Sequence, residues 1–339
     1  MSRPLVTVLL PVHNGADHLR ASLASVLTQS FRDFELLAID DASTDETAAI
    51  LAGVADDRLR VLRHERNLGL TATLNRGIAE ALGAYIARQD ADDLSDPGRL
   101  GAQVARLEAE PGLALLGCSY RRIDEDGREA GLRPVPTGAT AIRWRLLFLS
   151  AFAHSSVMIR ASALADVGPY DERFAYAQDY ELWSRIALAH EVAALPEPLV
   201  SYRRSGSSLT ATFAGAAAEI DAISTANVDR VLEAAGVDRA AIAGFDREAA
   251  WRLLFAGADG VDPAAAPRTA PAILALQAAF AAASGLDPGD ARRHRAATAR
   301  RLVRGLGRLA VRERDPRLAR VGLKAWVSSR RAPPASPGA

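Results

Sequence analysis

The stretch Ala87–Leu100, ARQDADDLSDPGRL, sets four aspartates, Asp90, Asp92, Asp93 and Asp96, within seven positions behind a short apolar run. Carboxylates this close repel one another unless a cation lies among them. Asp90 and Asp92 directly end a buried segment. Two carboxylates held there suit a hard divalent cation with oxygen ligands, Mn²⁺ or Mg²⁺, shared with phosphate oxygens. Asp96 precedes Pro97 and reads as the start of a helix, while Asp93 fits either use. Three more polar clusters lie upstream: Pro11-Val12-His13-Asn14-Gly15, Asp40-Asp41-Ala42-Ser43-Thr44-Asp45 and Arg66-Asn67-Leu68-Gly69. Each has a plain alternative, since Asp41–Asp45 suits a helix cap and Asn67 to Gly69 a turn with positive φ.

The elements around these clusters explain why they count together. LVTVLL, FELLAID, RLRVLRHE and AYIARQD read as strands, and GADHLRASLASVLTQ, STDETAAILAGVA, GLTATLNRGIAEAL and DPGRLGAQVARLEAE as the helices between them. Ser43 stands three places before Glu46, a capping-box spacing that predicts a helix start there. Alternation with short connections predicts an α/β fold with a Rossmann-like, mostly parallel sheet flanked by helices. In such a sheet the carboxyl ends of the strands share one edge, where ligands bind. All four polar clusters fall at that edge. Beyond Leu113 the pattern changes: a strand pair turns at Asp126-Gly127, and YAQDYELWSRIALAH predicts an amphipathic helix with Leu182, Ile186 and Leu188 inward. EVAALPEPLVSYR gives one or two final strands. The expected organisation is a catalytic domain over 1–205, a helical C-terminal region over 206–330 and a disordered tail over 331–339.

Composition sets further bounds. The chain has 339 residues, 49% of them hydrophobic, and a formal net charge of zero. That zero hides an asymmetry: Arg292 to Arg331 holds 14 basic residues against Glu313 and Asp315. No apolar run is long enough to span a bilayer, the N-terminal apolar run is too short for a signal peptide, and Cys118 is the single cysteine. The expectation is a cytoplasmic protein, peripheral at the inner face of the cell membrane if the basic segment 291–331 lies on anionic lipid. The competing expectation is that Leu302, Val303, Leu306 and Leu309 pack this segment onto the rest of the protein. Trp326 is the sole aromatic after Phe280, so the stacking pattern of a nucleic-acid binder is missing.

The segments PVHNGADHLRASLASVLTQSFRDFELLAIDDASTDET, RNLGLTATLNRGIAEALGAYIARQDADDLSDPGRL, HSSVMIR and AQDYELWSRI resemble the family 2 glycosyltransferases of the GT-A fold. The resemblance spans about residues 4–205 and does not reach the C-terminal third. It implies that Asp90-Ala91-Asp92 is an Asp-X-Asp motif in which Asp92 touches the metal. It implies that Asp41 bonds the nucleobase, that Asp40 supports the loop and that His13 packs on the base. Pro11, Asn14, Asn67, Asn75 and Asp90 join His13 and Asp41 on the side of the donor nucleotide. Asp179 falls at the catalytic aspartate, where Gln178 replaces a customary acidic neighbour. His154 and Trp183 fall on the acceptor side.

The implied activity is transfer of a single hexosyl or related unit from a UDP-, dTDP- or GDP-linked sugar to an acceptor hydroxyl. Transfer proceeds with inversion and metal assistance, and serves cell-surface polysaccharide or glycoconjugate assembly. The acceptor is a saccharide, a lipid-linked saccharide or a small molecule. The Gln-X-X-Arg-Trp signature of processive members is absent, which favours single-sugar transfer. A sugar nucleotidyltransferase would need a glycine-rich basic loop where PVHNGADHL stands. A non-catalytic sugar-nucleotide binder would have lost Asp92 or Asp179, and both are present.

Overall fold

A computed structural model describes residues 3–204 and 213–330, apart from the side chains of Phe213, Ala214, Ser328 and Arg330. The tail expected to be disordered, 331–339, lies outside the described residues. By internal contacts the chain forms two units, one of Met1–Leu146 with Ser150–Ile220 and one of Leu147–Leu149 with Asp221–Ala339.

The first unit is built on β1 (Val6–Val12), β2 (Phe34–Asp40), β3 (Leu59–Arg63) and β4 (Tyr85–Arg88), interleaved with α1 (Ala16–Leu27), α2 (Thr47–Ala52) and α3 (Leu70–Glu80). Every residue of β1 and β2 is buried. Such unbroken burial, apolar except at Thr7, Glu35 and Asp40, belongs to parallel strands covered on both faces. β1 lies parallel to β2 and β4, and β2 lies parallel to β3, so all four carboxyl ends share one edge. Pro11 sits inside β1 without cost. Leu9 pairs with Arg88, the last residue of β4, so the ladder on that side has ended before Pro11 would need to donate.

Beyond β4 the sheet becomes mixed. It continues through β5 (Leu94–Ser95), β6 (Leu113–Ile123), β7 (Glu129–Arg133), β8 (Met158–Arg160) and β9 (Glu191–Arg203), in the order β3-β2-β1-β4-β8-β6-β9-β5 with β7 paired to β6. Two of these pairings set up the site. β8 runs antiparallel to β4 with Ala87 opposite Met158, which lays residues 154–157 along the carboxyl end of β4. β5 pairs antiparallel with β9, which brings the Asp92-Asp93 turn to Arg203. The remaining helices of this unit are α4 (Arg99–Ala109), α5 (Ala139–Arg145), α6 (Ala161–Val167), α7 (Gln178–Ala189) and the start of α8 (Phe213–Ala234). Cys118 is buried, as its apolar run predicts, and burial pushes its thiol up to about 11.

Two local expectations fail. Ser43 does not cap α2, whose first residue is Thr47. Its hydroxyl instead accepts the Asn14 N–H at 2.9 Å, and Asp45 accepts the Thr47 N–H at 2.9 Å in its place. Leu188 points outward at 61% exposure, whereas Tyr180, Leu182, Trp183 and Ile186 fill the inner face of α7.

The second unit holds most of α8 with α9 (Arg247–Phe255), α10 (Ala266–Ala283), α11 (Pro288–Arg312) and α12 (Pro316–Arg330). Leu302, Leu306 and Leu309 of α11 are buried among α9, α10 and α12. That apolar stripe is therefore consumed by packing, leaving arginines outward.

Candidate active site

The loops after β1, β2 and β3 brace one another. Asn14 and Ala42 both take left-handed backbone, at φ 50° and 57°. Asparagine tolerates this, whereas alanine is strained there by about 1–2 kcal/mol. The turn at Ala42 sends Asp41 and Ser43 in different directions. Both oxygens of Asp41 accept main-chain N–H groups of the third loop, Leu68 at 2.8 Å and Gly69 at 2.9 Å. Gly69 has φ 88°, a conformation that favours glycine. Asp40 accepts the Ser43 N–H at 2.8 Å and faces Arg63 at 3.3 Å. His13 Nδ1 meets the Asp41 carbonyl at 2.8 Å, leaving its ring exposed at the edge. The Asn14 side-chain oxygen takes the Thr44 N–H at 2.8 Å, and that of Asn67 takes the Gly69 N–H at 3.1 Å. Asp41, Asn14 and Asn67 thus shape these loops through their side-chain oxygens, while Pro11 is buried at the end of β1.

Asn75 reaches from α3 to the segment before α7. Its amide nitrogen donates to the Tyr170 carbonyl at 3.0 Å and its oxygen accepts the Tyr170 N–H at 2.9 Å. It clamps the segment before α7 onto α3, with both amide groups engaged on that main chain.

At the end of β4 the acidic residues separate. Asp90 pairs with the buried guanidinium of Arg88, and its Oδ2 accepts from the Ser155 hydroxyl at 2.8 Å. Burial would raise its pKa, but Arg88, then His154 and Ser155, bring it below the ordinary value. Asp92 is pushed up to about 6, first by burial and then by the charge of Asp90. Asp93 is fully buried, accepts the Arg203 N–H at 2.7 Å and is raised well above the carboxylate range, first by burial and then by Asp90 and Asp92. It is a structural group. Asp96 accepts the Gly98 N–H at 3.0 Å just ahead of α4. Arg203 also donates to the Asp92 carbonyl at 2.9 Å and to the carbonyls of Asp124 and Glu125.

The residues present fit a divalent cation shared with a diphosphate. Asp90 has its own counter-charge, whereas Asp92 is raised by a like charge that a cation would offset. Among the described residues no three His, Cys, Asp or Glu side chains group as a protein-only metal cage. A cation held mainly by phosphate oxygens requires only one or two carboxylates.

Opposite lies the start of α7. Asp179 stands in its first turn, and its Oδ1 accepts the following Tyr180 N–H at 2.6 Å. It caps nothing: the N-cap is Ala177, with no side-chain cap from its own segment. A helix N-terminus favours an ionised carboxylate. Burial outweighs this, and with Asp90 opposed by Tyr180 N–H and Arg88 it lifts Asp179 to about 6. The neutral Gln178 beside it has not prevented the rise. The charges of Asp90 and Arg88, at the carboxyl end of β4, act on Asp179, so the strand end and the helix start belong to one electrostatic site.

His154 joins them. Arg88 Nε donates to its Nε2 at 3.2 Å, and the Tyr170 hydroxyl meets the same nitrogen at 2.8 Å. Arginine only donates, so Nε2 is an acceptor and the ring is neutral. Burial and Arg88 hold its pKa well below normal against the pull of Asp90. His154, Tyr170 and Trp183 meet edge to face with centroids 5.6, 5.8 and 6.2 Å apart. Trp183 is fully buried and backs His154 and Tyr170. Arg88, Ser155 and Arg203 lie inside ARQDADDLSDPGRL, HSSVMIR and the final strand, yet sequence reasoning assigns none of them a role, and Tyr170 lies outside every such segment.

The Glycosyl transferase family 2 model matches residues 7–168, a span that holds Asp90 and Asp92 and stops short of Asp179. The putative glycosyltransferase EpsE of Bacillus subtilis (strain 168) is 37% identical over 191 residues, covering 54% of this chain and 67% of its own. The chain belongs to glycosyl transferase family 2. The amylovoran biosynthesis glycosyltransferase AmsE of Erwinia amylovora is 30% identical over 204 residues, covering 59% of this glycosyltransferase and 76% of its own length. Among solved structures, S. aureus TarS residues 1–349 in complex with UDP-GlcNAc superposes with a TM-score of 0.58 at 18% identity, covering 95% of this chain and 91% of that one. That likeness extends the shared fold beyond the matched family segment. No helix among the described residues is long and apolar enough to cross a membrane.

Proposed function

We propose that this glycosyltransferase moves a single sugar from a nucleoside diphosphate donor to an acceptor hydroxyl with inversion, using Asp179 as general base. The observation that carries the reading is Asp179 itself: a carboxylate held at about 6 at a helix start, within the field of Asp90 and Arg88 at the donor edge. A base poised near neutral pH accepts a proton and still stays largely ionised. Asp179 takes the acceptor hydroxyl proton as that oxygen attacks the anomeric carbon from the face opposite the diphosphate. The brace of Asp41, Asn14 and Asn67 presents the nucleotide edge, with His13 exposed for base packing. Neutral His154 and Tyr170 border the acceptor side. Asp92, with Asp90 behind it, would hold a Mn²⁺ or Mg²⁺ ion, which when bound neutralises charge on the departing diphosphate.

Because a TarS structure holds UDP-GlcNAc, UDP-linked sugars are the first donors to test. Because AmsE is named for amylovoran biosynthesis, polysaccharide intermediates are the first acceptors. Thermal unfolding with UDP-, dTDP- and GDP-sugars, with and without Mn²⁺, reads donor class through linkage. The expected result is a Mn²⁺-dependent rise with one class that Asp92→Ala abolishes. A rise independent of metal and of Asp92 overturns the metal assignment.

The domain reading, 1–205 catalytic and 206–330 helical, enters the proposal with one further role for the helices. Arg300, Arg304 and Arg308 of α11 are exposed, as are Arg320, Leu323 and Lys324 of α12. Basic side chains studded with an apolar one suit an anionic lipid surface. Full-length protein pelleting with anionic but not neutral vesicles, lost on Arg300, Arg304 and Arg308→Glu, is the expected result. Equal pelleting of both proteins removes this part of the reading.

A further inference from the structure

The segment that delivers Asp179 is held from two sides. Upstream, α3 secures it through Asn75 on Tyr170 and through the Thr71 hydroxyl, which donates to the Phe174 carbonyl at 2.9 Å. Downstream, the three residues before α7 are held by one side chain from α8. Glu219 Oε1 accepts the Ala175 N–H at 2.9 Å, and its Oε2 accepts the N–H groups of Tyr176 at 2.9 Å and Ala177 at 2.8 Å. Ala177 is the N-cap residue of α7, and that cap has no side chain of its own. A carboxylate from 42 positions along the chain therefore holds the N-cap residue, two residues from Asp179. The first turn of α8 lies against the same segment: a Cβ on Gly215 would stand 2.8 Å from the Tyr176 ring. Only a glycine at 215 lets α8 come this close to Tyr176.

We propose that Glu219 is a positioning residue for transfer: it fixes the start of α7 and thereby where the Asp179 carboxylate meets the acceptor hydroxyl. The inference rests on Asp179 acting as base. Glu219 touches neither reactant, and its charge is spent on main-chain N–H groups that would otherwise face water. Its removal leaves the donor edge of the sheet intact, because Asp41, Asp90, Asp92 and Arg203 make no bond to it. Misplacing a reacting group by about 1 Å costs up to about 100-fold in rate.

The test measures kcat, donor KM and UDP affinity for Glu219→Ala and Glu219→Gln, alone and combined with Asp179→Asn. Glu219→Ala is expected to lower kcat about 10- to 100-fold with donor KM and UDP affinity within about twofold. Glu219→Gln keeps one oxygen able to accept two of the three N–H groups, and is expected to fall between Ala and wild type. In the Asp179→Asn background, Glu219→Ala is expected to cost less than about twofold, because the group it positions is gone. An equal loss in both backgrounds overturns the proposal, as does a fall in UDP affinity that matches the fall in kcat. Normal transfer by Asp179→Asn alone would instead remove the base assignment on which this inference stands.

Discussion

Replacing Asp179 by asparagine should stabilise the donor-free protein above pH 6 and do nothing for its stability near pH 4. Burial lifts the Asp179 carboxyl from 3.8 to about 6. A raised folded pKa means that the folded state holds the proton more tightly than the unfolded chain. The ionised group therefore opposes folding, with no effect below about 3.8, a penalty growing between 3.8 and 6, and the full penalty above. A shift of about two units corresponds to about 3 kcal/mol. Asparagine must also be desolvated, though its oxygen can still accept the Tyr180 N–H, so a gain of about 1–3 kcal/mol is expected. For a chain this long that is a rise of several degrees in Tm at pH 8. The assay is urea unfolding of wild type and Asp179→Asn at pH 4.5, 6 and 8 without donor. A variant less stable than wild type at pH 8, or a difference that does not change with pH, would refute the claim that burial dominates this carboxylate.

Two further outcomes follow from the same geometry. The acid limb of kcat/KM should bend near pH 6, where Asp179 takes up its proton, and fall about tenfold per pH unit below it; a limb near pH 4 would contradict the shift. Asn75→Ala should cost about 1–3 kcal/mol of stability, because it releases both main-chain groups of Tyr170, yet leave UDP affinity unchanged. Loss of UDP affinity in isothermal titration would return Asn75 to the nucleotide.

The framework was legible because its signals are local. LVTVLL and FELLAID are buried parallel strands whose apolar runs need no knowledge of their neighbours. The polar clusters at their ends announced the binding edge for the same reason. What the sequence could not supply were jobs assigned by distant partners. Asn75 has the spacing of an exposed helix residue, and only the fold brings Tyr170 to both of its amide groups. Ser43 has capping-box spacing, yet the left-handed turn at Ala42 hands its hydroxyl to Asn14. Helical periodicity alone placed Leu188 inward, whereas the packed face of α7 runs through Tyr180, Trp183 and Ile186. Arg88 reads as one more arginine until β8 lays His154 and Ser155 beside it. Glu219 follows the strand-helix core in an alanine-rich stretch and carries no motif at all.

In the proposed reaction Asp179 is the base, while the donor edge binds nucleotide independently of it. Single-turnover sugar transfer by Asp179→Asn, with UDP affinity measured on the same preparation, tests that most directly. A rate lower by about 100-fold or more is expected, with UDP affinity within about twofold of wild type. Transfer at the wild-type rate, or a loss explained wholly by weaker UDP binding, would contradict it.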